Sequence, residues 1–293
     1  MRDQSAFVIF VPSLHFSWLE KRVKHTSVLV YTIACVALAG CAQRPLAVAA
    51  TPTPTVPQYC KLHVDGGLVK DASGQPVLLH GATLPSLIEM NASELKPEQR
   101  LRDLAAAGAR VVRLAITERE MTPTFVPATV SPFIDQANAL GILVVLSYQN
   151  DVTLSANNQA DNAEDWMRLA LQYLRNAPGV WFEPFAHKVD SPKWQGMHQR
   201  MIDVARGYKA DNVFLVDEPT WLNEGKADVT GGNIAHGVSS MKGWPASAQP
   251  LVVISGDMAT LHTAQSAGAW AISDGDAITD EMRAVWKTSV KCK

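Results

Sequence analysis

Three carboxylate side chains, those of Glu183, Asp217 and Asp257, stand at or just after the ends of short apolar runs. Such runs are typical of buried parallel strands, which can deliver a charged residue to an exposed rim. Carboxyl groups that meet at a rim can act as general acid, general base or nucleophile. Each could instead be structural: Glu183 could be paired with Arg113 to offset the cost of its burial, and the other two could lie in solvated loops.

The elements that would position these side chains alternate between strand and helix patterns along most of the chain. A turn cluster at Asp71–Gly74 between two apolar runs predicts an N-terminal β-hairpin. Eight strands of a main sheet are expected after it, at 78–83, 110–116, 142–148, around Trp181, and at 212–216, 233–236, 251–254 and 269–272. Helices are expected to begin at Pro97, Ser131, Asp161, Ser191 and Thr279.

Eight strands with helices or helix-sized insertions between them predict an α/β fold, a single (β/α)8 TIM barrel. In enzymes with this fold the active site lies at the carboxyl ends of the strands, where the three carboxylates are expected. A doubly wound open sheet is the alternative. No glycine-rich phosphate loop follows the first strand, which disfavours the nucleotide-binding version of that fold.

Residues 1–41 predict a bacterial lipoprotein signal peptide. A basic stretch is followed by the short apolar stretch Ser27–Leu38 and by a Leu-Ala-Gly-Cys sequence ending at Cys41. We expect Cys41 to be lipidated, with an uncleaved anchor helix as the alternative. Residues 1–22 fit a signal peptide poorly, and we interpret them as an extension upstream of a true start at Val23.

A Pro/Thr-rich linker at 42–58 is expected to separate the lipid from a domain at 59–293. Ala42 resembles an outer-membrane sorting residue, so we expect a lipid-anchored protein of the bacterial cell envelope, at the outer membrane facing the periplasm or the cell surface. In that oxidising compartment Cys60 and Cys292 are predicted to form a disulfide.

Composition and motifs narrow the function classes. The 293 residues are 47% hydrophobic and 18% charged, as expected for one globular domain. A net charge of −2 disfavours nucleic acid as a partner. The sequence has no His-x-x-x-His or Cys-x-x-Cys spacing and no serine nucleophile elbow, and we predict neither a metal nor a cofactor.

Four tryptophans, Trp181, Trp221, Trp244 and Trp270, lie near predicted strand ends or in the loops beyond them. Flat aromatic faces stack on sugar rings, so a cleft lined by them suits a polysaccharide or oligosaccharide. Trp181 and Trp270 could instead fill the barrel core. Trp221 and Trp244, in loops with Gly and Pro, are the stronger candidates for ligand contact.

The segments Gly66–Gly74 and Val77–Ala82, together with Val111–Ala115 and Gly141–Leu146, resemble the opening half of the cellulase-like glycoside hydrolases, family five. Asn176–Glu183 is similar to the entry into the fourth barrel strand of that family. The resemblance implies hydrolysis of glycosidic bonds by two carboxyl groups roughly 5 Å apart, an acid/base on the fourth barrel strand and a nucleophile on the seventh.

The chain departs from the family pattern at both positions. The fourth strand of the family carries Asn-Glu-Pro a few residues after a Phe-Glu pair. If Phe182-Glu183 is that pair, Ala186 and His187 replace the Asn and the acid/base; if Glu183 is itself the acid/base, Phe182 replaces the Asn. On the seventh strand Asp257 is the candidate for the nucleophile.

Supporting positions of the family are better matched. Arg113 and His236 resemble its arginine and histidine, and Gln149 stands where it has a histidine. With His187, these side chains are predicted to bind substrate. We therefore expect a membrane-tethered, glycoside-hydrolase-like lipoprotein with impaired or unconventional catalysis, whose displaced carboxylate pair would be Glu183 with Asp257 or Asp217. The alternative is a non-catalytic carbohydrate-binding protein on the same barrel.

Overall fold

The structure is a computed structural model that describes residue 59 and residues 61–65, 67–240, 251–275 and 277–290. Strands β1 (His63–Asp65) and β2 (Leu68–Lys70) pair antiparallel, and eight further strands close into a parallel barrel in chain order. These are β3 (His80–Leu84), β4 (Val111–Ile116), β5 (Leu143–Tyr148), β6 (Val180–Glu183), β7 (Phe214–Asp217), β8 (Ile234–Val238), β9 (Leu251–Ser255) and β10 (Trp270–Ser273). The predicted (β/α)8 barrel with an N-terminal hairpin is confirmed.

The hairpin lies slightly earlier in the chain than predicted, because its paired strands are His63–Asp65 and Leu68–Lys70. The expected turn at Asp71–Gly74 is also present: the Gly74 N–H donates to the Asp71 carbonyl at 2.9 Å. It supports a short antiparallel bridge in which the Val77 N–H donates to the Val69 carbonyl at 2.9 Å. Val69 packs with residues of the barrel interior, so this region covers the amino-terminal end of the barrel.

Seven helices are described: α1 (Leu87–Ala92), α2 (Pro97–Ala107), α3 (Ser131–Ala139), α4 (Ala156–Leu174), α5 (Trp194–Gly207), α6 (Met258–Ser266) and α7 (Asp280–Trp286). The expected start of α4 at Asp161 is wrong, since Ser155 caps the helix by accepting from the Asn158 N–H. Helix α5 begins three residues after Ser191, at Trp194. None of the helices in the described ranges has the length and hydropathy of a membrane span.

The barrel interior is apolar at one end and polar at the other. Alternate residues of the strands pack inward, and the lower layers include stacked Trp181 and Trp270, whose ring centroids are 4.5 Å apart. Towards the carboxyl ends, the same alternation turns Arg113, Glu183 and Asp217 inward. The polar end of the barrel is therefore the place where chemistry is possible.

Several expectations fall on residues outside the described ranges. They concern the signal peptide and linker at 1–58, lipidation of Cys41, the Cys60–Cys292 disulfide and the ligand contact by Trp244. These remain predictions.

Candidate functional site

Glu183, the last residue of β6, is 0% exposed and forms a bidentate ion pair with Arg113 of β4. The Arg113 Nε donates to Oε2 at 2.6 Å and Nη2 donates to Oε1 at 2.8 Å. Burial is the largest single influence on the pKa of Arg113 and acts to lower it, but the charge and hydrogen bonds of Glu183, together with the charges of Asp217 and Asp274, raise that pKa overall. Both oxygens of Glu183 are thus bound by Arg113, which corresponds to the alternative in which Glu183 has a structural role.

Asp217, the last residue of β7, belongs to the same cluster and is 9% exposed. It stands opposite Gly237 in the register of β8, where an added Cβ would lie 3.2 Å from its Oδ1. Burial and the charge of Glu183 raise the pKa of Asp217 well above its usual value, although Arg113 acts to lower it. With one guanidinium for two carboxyl groups, Glu183 forms the ion pair and Asp217 favours its protonated form.

Asp257 is not part of this cluster, because it caps helix α6. Its exposed carboxylate accepts from the Thr260 hydroxyl at 2.6 Å and from the Thr260 N–H at 3.0 Å. These bonds lower the pKa of Asp257. At the end of β9 the side chain that packs against the barrel interior is Ile254, and Gly256 follows the strand. The structure therefore places no carboxyl group at the expected position of the nucleophile among these residues.

Replacement of Asp257 by alanine is expected to lower the midpoint of thermal unfolding by a few degrees, because the end of α6 loses its cap. Replacement by serine, which can also cap a helix, is expected to change it little. Neither substitution should alter glycan binding or turnover. Thermal unfolding of both variants, with a glycan-binding assay, checks this. A loss of turnover in Asp257→Ser would instead assign the carboxylate a catalytic role.

Gln149 and His187 are brought together at the carboxyl end of the barrel, where the His187 Nε2 lies 3.1 Å from the Gln149 Oε1. The backbone of His187 is held by Asn150: its N–H donates to the Asn150 Oδ1 at 2.9 Å, and its carbonyl accepts from Nδ2 at 3.0 Å. Asn150 is buried and was not predicted as a site residue. The only sequence signal for it is an amide two residues after the end of a predicted strand.

His236 and Trp221 do not line the mouth of the barrel, contrary to expectation. The His236 Nε2 lies 3.0 Å from the Asp228 Oδ2, and the Trp221 Nε1 donates to the Asp228 Oδ1 at 3.4 Å. Both side chains are buried, with Trp221 packing near His198 of α5. In β8, Ala235 packs in the barrel interior, and by alternation Gly237 faces the same way while His236 points to the helix layer.

Trp270 is also not a ligand contact, since it is the first residue of β10 and therefore lies at the end of the barrel opposite to the mouth. It is 3% exposed, stacks on Trp181, and donates from Nε1 to the Val77 carbonyl at 3.1 Å. Trp270 therefore fills the barrel core, which was the alternative interpretation of its sequence position.

Further polar groups at the mouth are hydroxyls. The Ser147 Oγ, on the inward side of β5 and paired in register with Glu183, is buried and has no hydrogen-bond partner within the described residues.

No group of three or more His, Cys, Asp or Glu side chains in the described ranges could hold a metal ion.

The burial of Glu183 bears on the register of the fourth barrel strand. An acid/base must reach a glycosidic oxygen, and a carboxylate that is fully buried with both oxygens bound to Arg113 is poorly placed to do so. The geometry favours the register in which Phe182-Glu183 is the earlier pair. Exposed His187 then occupies the position of the acid/base.

Comparisons with known proteins agree with this fold. A mannan endo-1,4-beta-mannosidase of Cellvibrio japonicus (strain Ueda107) is 22% identical over 171 residues, which cover 54% of this chain and 38% of that protein. The matched part is thus well under half of that relative's length.

Two solved structures have similar folds. The β-glucanase SdGluc5_26A from Saccharophagus degradans superposes with a TM-score of 0.64 at 14% identity, covering 78% of this chain and 92% of that chain. The catalytic domain of Thermobifida fusca endoglucanase Cel5A gives 0.61 at 18% identity, covering 76% and 86%. The sequence model of Cellulase (glycosyl hydrolase family 5) matches residues 70–287, and the chain therefore belongs to that family.

Proposed function

We propose that this protein recognises a polysaccharide at the mouth of its barrel and that its catalysis is impaired or unconventional. One observation carries the proposal: the carboxylate of the fourth barrel strand, Glu183, is buried in an ion pair, and at the end of the seventh strand Ile254 packs inward and Gly256 follows the strand. A retaining glycosidase needs two accessible carboxyl groups roughly 5 Å apart. Family membership supports a glycan as the ligand, because mannanases and β-glucanases are among the similar proteins.

The expected result for the purified full chain is binding without turnover. Across β-glucans, mannans and bacterial exopolysaccharides, we expect at least one glycan to bind and none to release reducing ends above the protein-free rate. His187→Ala should weaken binding several-fold, because this exposed side chain is held at the mouth by Gln149 and Asn150. His262→Ala, an exposed change on α6, is the matched control and should have no effect.

Isothermal titration and a reducing-end assay on the same preparation measure both quantities. Turnover that Glu183→Gln abolishes would overturn the proposal and make Glu183 a catalytic residue. Absence of binding to every glycan tested would also overturn it.

One observation favours a second candidate function, hydrolysis by the carboxyl pair Glu183 and Asp217 in place of the standard pair of the family. Asp217 has a raised pKa beside the ion-paired Glu183, and two carboxyl groups with diverging environments are typical of acid/base catalysis. In that case both Glu183→Gln and Asp217→Asn should reduce turnover by about 10²–10⁴-fold. Turnover should also fall as the pH rises through the raised pKa of Asp217, because the carboxyl group then loses its proton.

We also propose that the protein is tethered to a bacterial membrane by a lipid on Cys41, as the short apolar stretch before it favours. Metabolic labelling with a fatty-acid analogue should mark the wild-type chain and its Cys35→Ala variant, and should not mark Cys41→Ala. A labelled Cys41→Ala chain, or an unlabelled wild type in the membrane fraction, would contradict this assignment.

A further inference from the structure

The side chains of His187 and Gln149 meet at the mouth of the barrel, where His187 is exposed and Gln149 is partly exposed. The Nε2 atom of His187 lies 3.1 Å from the Oε1 atom of Gln149. In a neutral imidazole one nitrogen donates and the other accepts, and the partner of one nitrogen decides which of them carries the proton. The position of the proton on His187 therefore depends on which atom of the Gln149 amide faces the ring.

A backbone carbonyl fixes the orientation of the Gln149 amide. Its Nε2 donates to the Ser147 carbonyl at 3.3 Å. The opposite orientation would turn Oε1 towards that carbonyl and place two acceptors against each other, so Oε1 is the atom that faces His187. The backbone of Gln149 is held as well, because its N–H donates to the Ile116 carbonyl at 2.8 Å.

The orientation of Gln149 determines the tautomer of His187. An amide oxygen only accepts hydrogen bonds, so neutral His187 carries its proton on Nε2. The other ring nitrogen, Nδ1, then has a free lone pair, and no donor within the described residues reaches it. This position at the mouth of the barrel thus offers a hydrogen-bond acceptor to a ligand.

A second set of bonds holds the backbone that carries the imidazole. The His187 N–H donates to the Asn150 Oδ1 at 2.9 Å, and the Asn150 Nδ2 donates to the His187 carbonyl at 3.0 Å and to the Gln159 Oε1 at 2.7 Å. The Gln159 Nε2 donates in turn to the Leu154 carbonyl at 2.8 Å. Because a backbone N–H only donates and a backbone carbonyl only accepts, each of these amides has one possible orientation. His187 is therefore held in place before a ligand arrives, which lowers the entropy lost on binding.

The lone pair on Nδ1 decides which part of a glycan can bind there. A glycosidic oxygen carries no proton and cannot donate to a lone pair, whereas a sugar hydroxyl can. In a glycosidase the acid/base gives a proton to the glycosidic oxygen. Neutral His187, at the position of that acid/base, offers an acceptor instead of a proton.

We propose that His187 binds a glycan by accepting a hydrogen bond from a sugar hydroxyl at Nδ1, and that Gln149 is the positioning residue that keeps Nδ1 free to accept. This inference rests on the proposed function, because it names the group of the glycan that the mouth of the barrel recognises. An ether or ester at that hydroxyl would leave Nδ1 without a donor, so the site selects a sugar unit that is unsubstituted there.

Nitrogen NMR of the isotopically labelled full chain, in mildly alkaline buffer, tests the tautomer. The His187 signals are those that are absent from His187→Ala. We expect a proton on Nε2 and none on Nδ1, and a shift of the Nδ1 resonance when cellohexaose or mannohexaose saturates the chain. A proton on Nδ1 in the free chain, or an Nδ1 resonance that stays in place at saturation, overturns the proposal.

Two substitutions distinguish the ring nitrogens in titration calorimetry with the same two oligosaccharides. The shorter asparagine amide reaches the place of Nδ1, whereas the glutamine amide reaches the place of Nε2. We expect His187→Gln to weaken binding about fivefold, and His187→Asn to recover most of that loss, because one hydrogen bond is at stake. His262→Gln, an exposed change on α6, is the matched control and should have no effect.

The outcomes separate this inference from the proposed function. Wild-type affinity in His187→Gln, or His187→Asn binding as weakly as His187→Gln, overturns the role of Nδ1 and leaves glycan recognition standing. Absence of binding to both oligosaccharides overturns the inference. Absence of binding to every polysaccharide as well overturns the proposed function with it.

Discussion

Replacement of Arg113 by methionine is expected to destabilise the fold by about 3–5 kcal/mol, because it would leave the Glu183 carboxylate buried without its partner. Both oxygens of Glu183 now accept charge-assisted bonds from Arg113, and no water-exposed surface is available to replace them. The cost is thus mainly that of an unpaired buried charge, and it exceeds the net contribution of the pair itself.

Denaturant unfolding of single and double variants measures this directly. The double variant Arg113→Met with Glu183→Leu should recover most of the loss, because replacing a buried ion pair by apolar side chains is often close to neutral. Lys70→Met, which removes the surface ion pair with Asp65, is the control and should change stability little. A small effect of Arg113→Met would show that Glu183 is solvated, and would reopen its assignment as an acid/base.

This ion pair bears on the proposal that the chain keeps a glycosidase fold without the standard catalytic pair. Removal of Arg113 alone would leave the Glu183 carboxylate buried without its partner, whatever stands at the end of the seventh barrel strand. The proposed binding groups at the mouth, His187 and Gln149, are held by a separate set of bonds, those of the His187 backbone to Asn150 and the contact between the two side chains.

The barrel could be predicted from the sequence because its strands are continuous apolar runs separated by helical periods, and this pattern is local. Whether a given strand residue points to the barrel interior or to the helix layer could not be predicted in this way. A shift of one position along β8 exchanges His236 with Gly237 between the interior and the helix layer, and no local signal fixes that choice. Trp270 was misplaced for a different reason: the predicted strand at 269–272 already put it near the amino-terminal end, which is the end of the barrel away from the mouth.

Two further kinds of feature differ in how far the sequence predicts them. A helix cap has a local sequence pattern, whereas a contact between distant segments has none. Asp257 just ahead of an apolar helical segment is a typical N-cap, as the structure has it. The contacts of Glu118 with Tyr148 and Asn162, in contrast, join segments that are distant in the chain, and only the closed fold brings them together. The pairing of Arg113 with Glu183, weighed from the sequence as an alternative, needed the same closure.

Stability is expected to fall as pH rises above the ordinary range of a carboxyl group, because Asp217 retains its proton in the folded chain. Below that range both folded and unfolded states are protonated, and the group adds no pH dependence. Above it the unfolded chain releases the proton while the folded chain keeps it. This contribution costs about 1.4 kcal/mol per pH unit until Asp217 ionises in the folded state.

Asp217→Asn removes this penalty while retaining the shape of the side chain opposite Gly237. The variant should match the wild type near pH 4 and become progressively more stable than it towards neutral pH, because burial and the charge of Glu183 no longer oppose ionisation there. Denaturant unfolding at a series of pH values measures the difference, with the exposed Asp203→Asn as a control that should show no such trend. A variant less stable than the wild type at neutral pH would mean that Asp217 is ionised in the fold. If Asp217→Asn instead gained stability and lost a measurable turnover, the raised pKa would be the cost of a working general acid, and the hydrolytic candidate would replace binding alone.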